Sequence, residues 1–291
     1  MDKKRHIAQF CAAALSNGYL KGFYYGKIFT GPSKGICLPG LNCYSCPGAL
    51  CACPIGAMQA TLGSSGHKSA FYVGGFLIII GALMGRLVCG WLCPFGLVQD
   101  LLHKISFVKK IRRLPGDRWL KWLRYLILAL FVILLPLLVL DITGQGKPWF
   151  CEYICPAGTL EAGIPLVLLD KGLRSVIGWL YVWKVALLAM IILLSVIVYR
   201  PFCRYLCPLG AIYGLFNPIS IYRYEIDSNK CVKCGQCQDT CKLNIKVYEK
   251  PNSLECIKCG NCKKVCPNGA ITNEAIINGL KNRKEEDDRR I

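Results

Sequence analysis

Long apolar runs separated by basic loops constrain the fold of this 291-residue chain more than any other feature. Each of the longer runs approaches the roughly 20 residues that a helix needs to cross a bilayer. Only 18% of the residues are charged, against about a quarter in an ordinary soluble domain. The runs, of which the first is the weakest, are residues 7–20, 70–88, 125–140 and 176–199. The sequence therefore predicts an all-α membrane domain with four transmembrane helices.

The basic residues predict the orientation of these spans, because Lys and Arg are enriched in cytoplasmic loops. They cluster at the N-terminus, within residues 104–118 and after residue 199, which would place these segments in the cytoplasm. Residues 22–69 and 142–175 would then face outward, with the short apolar run 164–169 interfacial or re-entrant. The first run lacks a following cleavage site, so we interpret it as a span rather than a signal peptide. We expect a multi-pass protein of the cytoplasmic membrane with both termini in the cytoplasm.

The net charge of +19 raises the alternative of a nucleic-acid-binding protein. The basic residues adjoin the predicted spans, however, and the rule for membrane insertion already explains them there. Anionic metal clusters would also offset part of the excess positive charge. We therefore expect no nucleic-acid partner.

A short pattern, Cys-Pro-x-Gly-x-apolar, occurs four times and divides the membrane domain into two similar halves. The copies begin at Cys53, Cys93, Cys155 and Cys207. In the last three copies another cysteine lies four positions earlier, at Cys89, Cys151 and Cys203. On the predicted topology the copies alternate between the outer and inner faces of the membrane. A duplicated unit of this kind is expected to face itself across a pseudo-two-fold axis.

The inner pair of motifs supplies four cysteines, which is the number that a [4Fe–4S] cluster requires. They are Cys89 and Cys93 from the first half and Cys203 and Cys207 from the second. The proline after each second cysteine suits the first turn of a helix, where its missing N–H is not needed. The cysteine would then lie at a helix N-terminus, whose dipole stabilises a thiolate. Buried structural cysteines at helix ends are the alternative, but four equivalent copies favour metal ligation.

The outer face is less regular, because it carries more cysteines than one cluster requires. Those cysteines are Cys37, Cys43, Cys46, Cys51, Cys53, Cys151 and Cys155. We predict one cluster on Cys46, Cys53, Cys151 and Cys155, with Cys37, Cys43 and Cys51 as alternative ligands. The spacing of the first outer motif is imperfect, because position 49 is alanine. Disulfides are the other interpretation, since an outward face is an oxidising environment.

Eight cysteines near the C-terminus follow the bacterial two-cluster ferredoxin spacing, in which the fourth cysteine of each run ligates the other cluster. Zinc would instead favour two separated pairs of ligands. The predicted clusters use Cys231, Cys234, Cys237 and Cys266 in one case and Cys256, Cys259, Cys262 and Cys241 in the other. The domains predicted are a membrane domain at 1–217, a small α+β ferredoxin domain at 218–275 and a charged, disordered tail at 276–291.

Spans carrying Cys-x3-Cys-Pro motifs, followed by a two-cluster ferredoxin, resemble the NapH-type membrane polyferredoxins over nearly the whole chain. NosR and CcoG are related to that family. Residues 41–50 depart from the simplest pattern and resemble the branch found in anaerobic bacteria. The resemblance implies a protein that passes electrons between the quinone pool or cytoplasmic donors and partner reductases.

We therefore expect a membrane-bound electron conduit without catalytic residues of its own, which acts as an electron-transfer subunit of an oxidoreductase. Electrons would enter the two ferredoxin clusters, pass to the inner cluster and continue to the outer one. The donor would be a cytoplasmic ferredoxin-like protein or flavoprotein. The acceptor would be an outward flavoprotein or reductase.

Two other functions stay open. One is exchange with quinol or quinone at the inner face, as a quinol dehydrogenase component, in which Glu161 or His103 could exchange protons. The other is a metal-reductase or assembly factor that holds clusters without carrying flux. Glu161 is one of four residues that lie six positions after the cysteine of a Cys-Pro motif, the others being Gln59, Gln99 and Tyr213. We favour the interpretation of each of them as a solvated polar residue at a helix end.

Overall fold

The computed structural model describes residues 2–64, 68–105, 109–141, 145–175 and 177–275. The segment 276–291, predicted to be a disordered tail, lies outside the described residues. Within the described ranges the chain is mostly helical, with one small sheet near the C-terminus.

The N-terminal elements, as far as the end of the second inner motif, are helical. They are α1 (Asp2–Ser16), α2 (Leu20–Tyr25), a 3-10 turn (Pro32–Gly35), α3 (Pro54–Leu62), α4 (Lys68–Met84), α5 (Leu87–Trp91), α6 (Pro94–Leu102), α7 (Asp117–Ile127), a π-helical segment (Leu128–Leu134), α8 (Leu135–Leu138), α9 (Trp149–Tyr153), α10 (Pro156–Gly158), a second π-helical segment (Thr159–Gly163), α11 (Ile164–Leu169), α12 (Lys171–Ser175), α13 (Trp179–Ile197), α14 (Pro201–Tyr205) and α15 (Pro208–Phe216).

The C-terminal part contains two strands and two short helices, in the order β1 (Tyr222–Ile226), α16 (Gln236–Asp239), α17 (Asn261–Val265) and β2 (Ile271–Ala275). The strands pair antiparallel, with Tyr222 opposite Ala275 and Ile226 opposite Ile271. Most of the chain between them is loop, which holds six of the eight ferredoxin cysteines outside any helix. A small α+β ferredoxin arrangement, with most of its cysteines on loops, therefore follows the helical part.

Two helices in the described chain are long and apolar enough to cross a membrane. They are the continuous helix Asp117–Leu138, with a mean hydropathy of 2.0, and Trp179–Ile197, with a mean hydropathy of 2.4. Much of their surface is exposed and apolar, since Trp119 and Trp179 are 82% and 80% exposed. Apolar patches of this kind mark contact with lipid or with a partner protein.

The other two predicted spans fall on shorter helices. The run 70–88 corresponds to α4, which has 17 residues, and the run 7–20 overlaps α1, which has 15. Helix α1 begins before the apolar run and includes Arg5, which is 1% exposed and pairs with Asp100. The structure thus supports two of the four predicted spans by length and composition, and the four-span architecture stays a prediction.

The four Cys-Pro motifs fold alike. Cys53, Cys93, Cys155 and Cys207 each form the N-cap of a helix in extended backbone conformation, and the following proline occupies the first turn. The earlier cysteine of each Cys-x3-Cys pair lies in the preceding short helix α5, α9 or α14. This confirms the prediction that the proline places its cysteine at a helix N-terminus.

The two halves meet in one hydrophobic core. Phe95 of the first half and Phe202 of the second pack edge to face, with ring centroids 5.1 Å apart. Seven of the cysteines of the inner and outer motifs belong to this core or pack against it, among them Cys89, Cys155 and Cys207. A second core holds the ferredoxin part together and includes Tyr199, which lies two residues after the end of α13.

Candidate metal centres

The four inner cysteines converge between α5–α6 and α14–α15. None of them is more than 6% exposed. The thiols interact electrostatically with one another: Cys93 with Cys89 and Cys203, and Cys207 with the other three. Burial raises the pKa of Cys93 and Cys207, and the neighbouring thiols raise it further. Four buried sulfurs of this kind suit a cationic iron core, which removes both the desolvation and the repulsion.

Two buried arginines brace the inner site across the two halves. Arg86 donates to the carbonyl oxygen of Cys203 at 2.9 Å, and Arg200 donates to the carbonyl oxygen of Cys89 at 2.5 Å. Arg86 lies three positions before Cys89, and Arg200 lies three positions before Cys203. Each arginine therefore binds the backbone of the equivalent cysteine in the other half of the domain. The positive charges also compensate the negative charge that a thiolate-ligated cluster carries.

Glycine in each inner motif makes room for these arginines. A Cβ at Gly210 would lie 3.0 Å from the Cys203 oxygen and 3.1 Å from the Arg86 guanidinium. A Cβ at Gly96 would approach the Cys89 oxygen to 3.1 Å. The glycine of the Cys-Pro-x-Gly pattern is thus explained by close packing at the inner site.

Asp100, at the end of α6, ties three elements together. Its carboxylate accepts from Arg200 at 2.7 and 2.5 Å and from Arg5 at 2.8 Å. Burial alone would raise the pKa of Asp100, but the two guanidinium groups outweigh it and lower the pKa to about 2. The carboxylate is therefore ionised at neutral pH and fixes α1 and α14 against α6.

The outer cysteines surround a cavity of about 360 Å³. Four thiols line it, from Cys43, Cys53, Cys151 and Cys155. Cys43 interacts electrostatically with Cys155 and Cys53, and Cys151 with Cys53 and Cys43. A Cβ at Gly158 would lie only 3.7 Å from the Cys43 sulfur. Four sulfurs from both halves thus line one cavity.

Three outer cysteines lie apart from this lining. Cys46, which the sequence favours as a ligand, is 2% exposed and does not line the cavity. Cys37 pairs with Ala52 in an isolated bridge, and Cys51 lines a separate apolar cavity beside α1. All twenty cysteines fall within the described ranges, and all of them are unbridged. The residue that completes the outer group in space is Cys43, which the sequence offers as an alternative.

The ferredoxin cysteines form two groups, and each group takes one member from the opposite run. Cys231, Cys234, Cys237 and Cys266 line one cavity. In the second group, Cys256 interacts electrostatically with Cys259, Cys262 and Cys241. Gly235 and Gly260, with φ of 80° and 81°, begin α16 and α17 in the left-handed conformation that glycine adopts most easily.

Among the described residues, no three His, Cys, Asp or Glu side chains converge as a single metal ion requires. A cubane spreads its four thiolates over four separate irons. Each of the four groups supplies four thiols, which is the number and type of ligand that a [4Fe–4S] cluster uses.

The residues six positions after each Cys-Pro cysteine are largely buried. Gln59 and Tyr213 are 0% exposed and Gln99 is 1% exposed, so the interpretation as solvated residues is wrong for these three. Glu161 accepts a hydrogen bond from the backbone N–H of Cys43 at 2.6 Å. His103 instead lies against Tyr199, with ring centroids 5.3 Å apart, and contacts the Ser195 oxygen.

The ferredoxin part docks on the inner site through a buried carboxylate. Glu255, next to Cys256, accepts from Arg86 at 3.0 Å and from Arg124 at 2.6 and 3.0 Å. Burial acts to raise the pKa of Glu255, but the two arginines prevail and lower it. Arg86 therefore touches both the backbone of Cys203 and the residue beside Cys256. Sequence reasoning missed Glu255, because nothing in the pattern distinguishes it from an exposed loop carboxylate.

The segment 254–258 also packs against α5. The Trp91 indole N–H donates to the Lys258 oxygen at 3.1 Å. A Cβ at Gly90 would lie 2.2 Å from the Ile257 oxygen, so only glycine fits here. The chain around Cys256 is thus in direct contact with the chain between Cys89 and Cys93.

We expect Gly90→Ala to disrupt the contact between segment 254–258 and α5. The added methyl group collides with backbone rather than with a flexible side chain, and overpacking of this kind costs about 1–3 kcal/mol. Limited proteolysis should cleave the ferredoxin part of the variant faster than that of the wild type. Gly74→Ala is the matched control, because nothing lies within 4 Å of a Cβ at Gly74. Equal protection of both variants would show that the contact is dispensable.

Comparison with known proteins adds a family match. A family described as a 4Fe–4S binding domain matches residues 51–72, 68–115, 123–164 and 179–221. Each of these ranges contains one of the four Cys-Pro motifs. A second family with the same description matches residues 250–272, which contain the second ferredoxin run.

Several curated proteins are similar to this chain. An uncharacterised protein of Methanocaldococcus jannaschii is 31% identical over 219 residues, which are 71% of this chain and 79% of the relative. The methylamine utilization ferredoxin-type protein MauN of Paracoccus denitrificans is 31% identical over 173 residues, 59% of this chain and 52% of MauN. The ferredoxin-type protein NapH of Haemophilus influenzae is 28% identical over 167 residues, 57% of this chain and 50% of NapH. The match spans about half the length of these two named relatives. No solved structure matches this chain.

Proposed function

Because this chain belongs to the NapH-type family of 4Fe–4S polyferredoxins, we propose that it relays electrons from a cytoplasmic donor to an extracytoplasmic acceptor through four [4Fe–4S] clusters. The family is one of ferredoxin-type electron transport proteins. The clusters would supply one-electron transfer, and the chain would hold, insulate and order them.

The ligand sets of this proposal follow the four groups of thiols. The ferredoxin clusters take Cys231, Cys234, Cys237 and Cys266, and Cys256, Cys259, Cys262 and Cys241. The inner cluster takes Cys89, Cys93, Cys203 and Cys207. For the outer cluster we propose Cys43, Cys53, Cys151 and Cys155, since these four line one cavity.

The observation that carries the proposal is the docking of segment 254–258 on the inner motif. Cys256 lies beside Glu255, Glu255 binds Arg86, and Arg86 binds the backbone of Cys203. The second ferredoxin group and the inner group are thereby joined through buried, hydrogen-bonded contacts. A relay requires such a fixed neighbour-to-neighbour order, whereas a tethered ferredoxin does not.

The proposed relay runs across the membrane. We propose four spans, with both termini and the ferredoxin domain in the cytoplasm, and the domain limits 1–217 and 218–275. The bilayer core is about 30 Å thick, so an outer cluster within the membrane domain shortens the distance to the outward acceptor. The donor would be a ferredoxin-like protein or flavoprotein, and the acceptor a flavoprotein or reductase.

The first test is the iron and acid-labile sulfide content of protein purified in detergent without air. Four cubanes contain about 16 irons per chain. That value, with equal sulfide, is the expected result. Only about 8 irons would contradict the proposal and leave a ferredoxin tethered to the membrane.

A second candidate function is exchange with quinone beside the inner group of cysteines. It is favoured by an apolar cavity of about 330 Å³ between α1 and the segment 38–51, which reaches Leu92 and Pro94 on either side of Cys93. Pockets of this size and polarity hold small apolar cofactors. About 12 irons, with the outer thiols in disulfides, would favour this function over the through-membrane relay.

A further inference from the structure

Each residue six positions after a Cys-Pro cysteine contacts the other half of the membrane domain. Glu161 and Tyr213, in the second half, bind backbone atoms of Cys43 and Pro39 in the first outer loop. The two glutamines of the first half behave differently, because they reach a cysteine sulfur. Gln59 donates to the Cys151 sulfur at 3.3 Å, and Gln99 donates to the Cys203 sulfur at 3.1 Å.

The backbone fixes the orientation of both amides. The Gln59 oxygen accepts from the Phe150 N–H at 2.9 Å, and the Gln99 oxygen accepts from the Phe202 N–H at 3.2 Å. A flipped amide would place its NH₂ group against these backbone donors. The NH₂ group must therefore face the sulfur of the residue that follows each phenylalanine. The same arrangement occurs at both faces, once for each proposed membrane cluster.

A hydrogen bond to a ligand sulfur bears directly on a cluster's reduction potential. Reduction adds one negative charge to the cluster, and a donor N–H stabilises the reduced form more than the oxidised form. Both glutamines are fully buried or 1% exposed, and in such surroundings water does not screen the interaction. The donors are therefore placed where they affect electron affinity rather than binding alone.

We propose that Gln59 and Gln99 raise the reduction potentials of the outer and inner clusters by donating N–H···S hydrogen bonds to Cys151 and Cys203. This inference rests on the proposed function, because it requires clusters at both faces. Neither glutamine is a ligand, and each acts on its cluster through one cysteine. They are positioning residues that act on the reduction potentials of the two membrane clusters.

The test is an EPR-monitored redox titration of the full-length protein in detergent. Gln99→Met removes the donor, whereas Gln99→Glu removes the NH₂ group but keeps an oxygen for the Phe202 N–H. Both variants should make the inner cluster harder to reduce by about tenfold, the size of one net hydrogen bond. For one electron this corresponds to a midpoint lower by about 59 mV. The two ferredoxin potentials should be unchanged and serve as internal references.

Tyr213→Phe is the matched control. Tyr213 is equally buried at the equivalent position of the second inner motif, but its hydroxyl donates to the Pro39 oxygen. Its removal should leave the inner potential unchanged. An unshifted potential in both Gln99 variants would overturn the inference, as would an equal shift in Tyr213→Phe. Loss of about four irons from both Gln99 variants would also overturn it, because the amide would then serve assembly. A wild-type protein without an inner-cluster signal would contradict the proposed function itself.

Discussion

Cys43→Ala is expected to remove about four irons per chain, whereas Cys46→Ala is expected to remove none. The two cysteines are separated by one turn, in which the Cys46 N–H donates to the Cys43 oxygen. Only Cys43 shares the outer cavity with Cys53, Cys151 and Cys155. Without Cys43, only three thiols remain among the residues that line this cavity, so a cubane there lacks its fourth thiolate.

The pair of variants separates ligation from folding. Both side chains are small, so replacement by alanine leaves a cavity of similar size at either position. Iron and acid-labile sulfide are measured together with the EPR signals of the ferredoxin clusters, which should be unaffected. Iron loss in Cys46→Ala alone would show that the sequence prediction of Cys46 is right and the proposed set wrong. Unchanged iron in both variants, with outer thiols that resist alkylation until reduced, would identify disulfides.

The regular parts of the sites were predictable from spacing. The crossed ferredoxin groups follow from eight cysteines in two runs of identical spacing, and the structure places Cys266 in one cavity with the first run and Cys241 beside Cys256, while their ligation of clusters stays a prediction. The N-cap cysteines follow from proline, whose fixed φ and missing N–H suit only the first helical turn. In both cases a local covalent rule determines the geometry, so the pattern alone is sufficient.

The irregular parts required the structure. The choice between Cys43 and Cys46 depends on how a loop folds against Gly158 of the other half, and no repeat spacing encodes that contact. Gln59 and Gln99 stand at helix ends in sequence, where polar residues are normally solvated, and their burial results from the packing of the two halves. The same packing explains the burial of Arg86 and Arg200. In the sequence both arginines lie beside the ends of predicted spans, where cations are normally on the surface.

The predicted spans illustrate a similar limit. The predicted runs 125–140 and 176–199 fall on Asp117–Leu138 and Trp179–Ile197, the two helices of the described chain that are long and apolar enough to cross a membrane. Helix α1 is different, since its Arg5 and Gln9 are buried against other elements of the protein. A sliding window averages hydropathy over all faces of a helix. It therefore does not show that the polar face of α1 packs against the rest of the protein.

Glu255→Gln is expected to release the ferredoxin domain from the inner site. The substitution leaves the buried guanidinium groups of Arg86 and Arg124 without their carboxylate. Breaking a buried ion pair by removing one partner costs about 3–5 kcal/mol, which weakens the docking equilibrium by roughly 10²–10⁴-fold. Hydrogen exchange of the amides in residues 254–258 and 86–93 should rise accordingly. Transfer of electrons from reduced ferredoxin clusters to the inner cluster should slow in stopped-flow measurements.

Glu225→Gln provides the matched control for this effect. Glu225 also belongs to the ferredoxin part and pairs with Arg223 at 2.8 Å, but the two side chains are 39% and 30% exposed. An exposed pair of this kind contributes about 0–1 kcal/mol, so exchange and transfer rates should match the wild type. Iron content must be unchanged in both variants, because neither carboxylate is a proposed ligand. If Glu255→Gln keeps wild-type protection and transfer rate, the buried pair does not hold the relay together. The packing of Gly90 against Ile257 and the hydrogen bond from Trp91 to the Lys258 oxygen would then be candidates for ordering the two clusters.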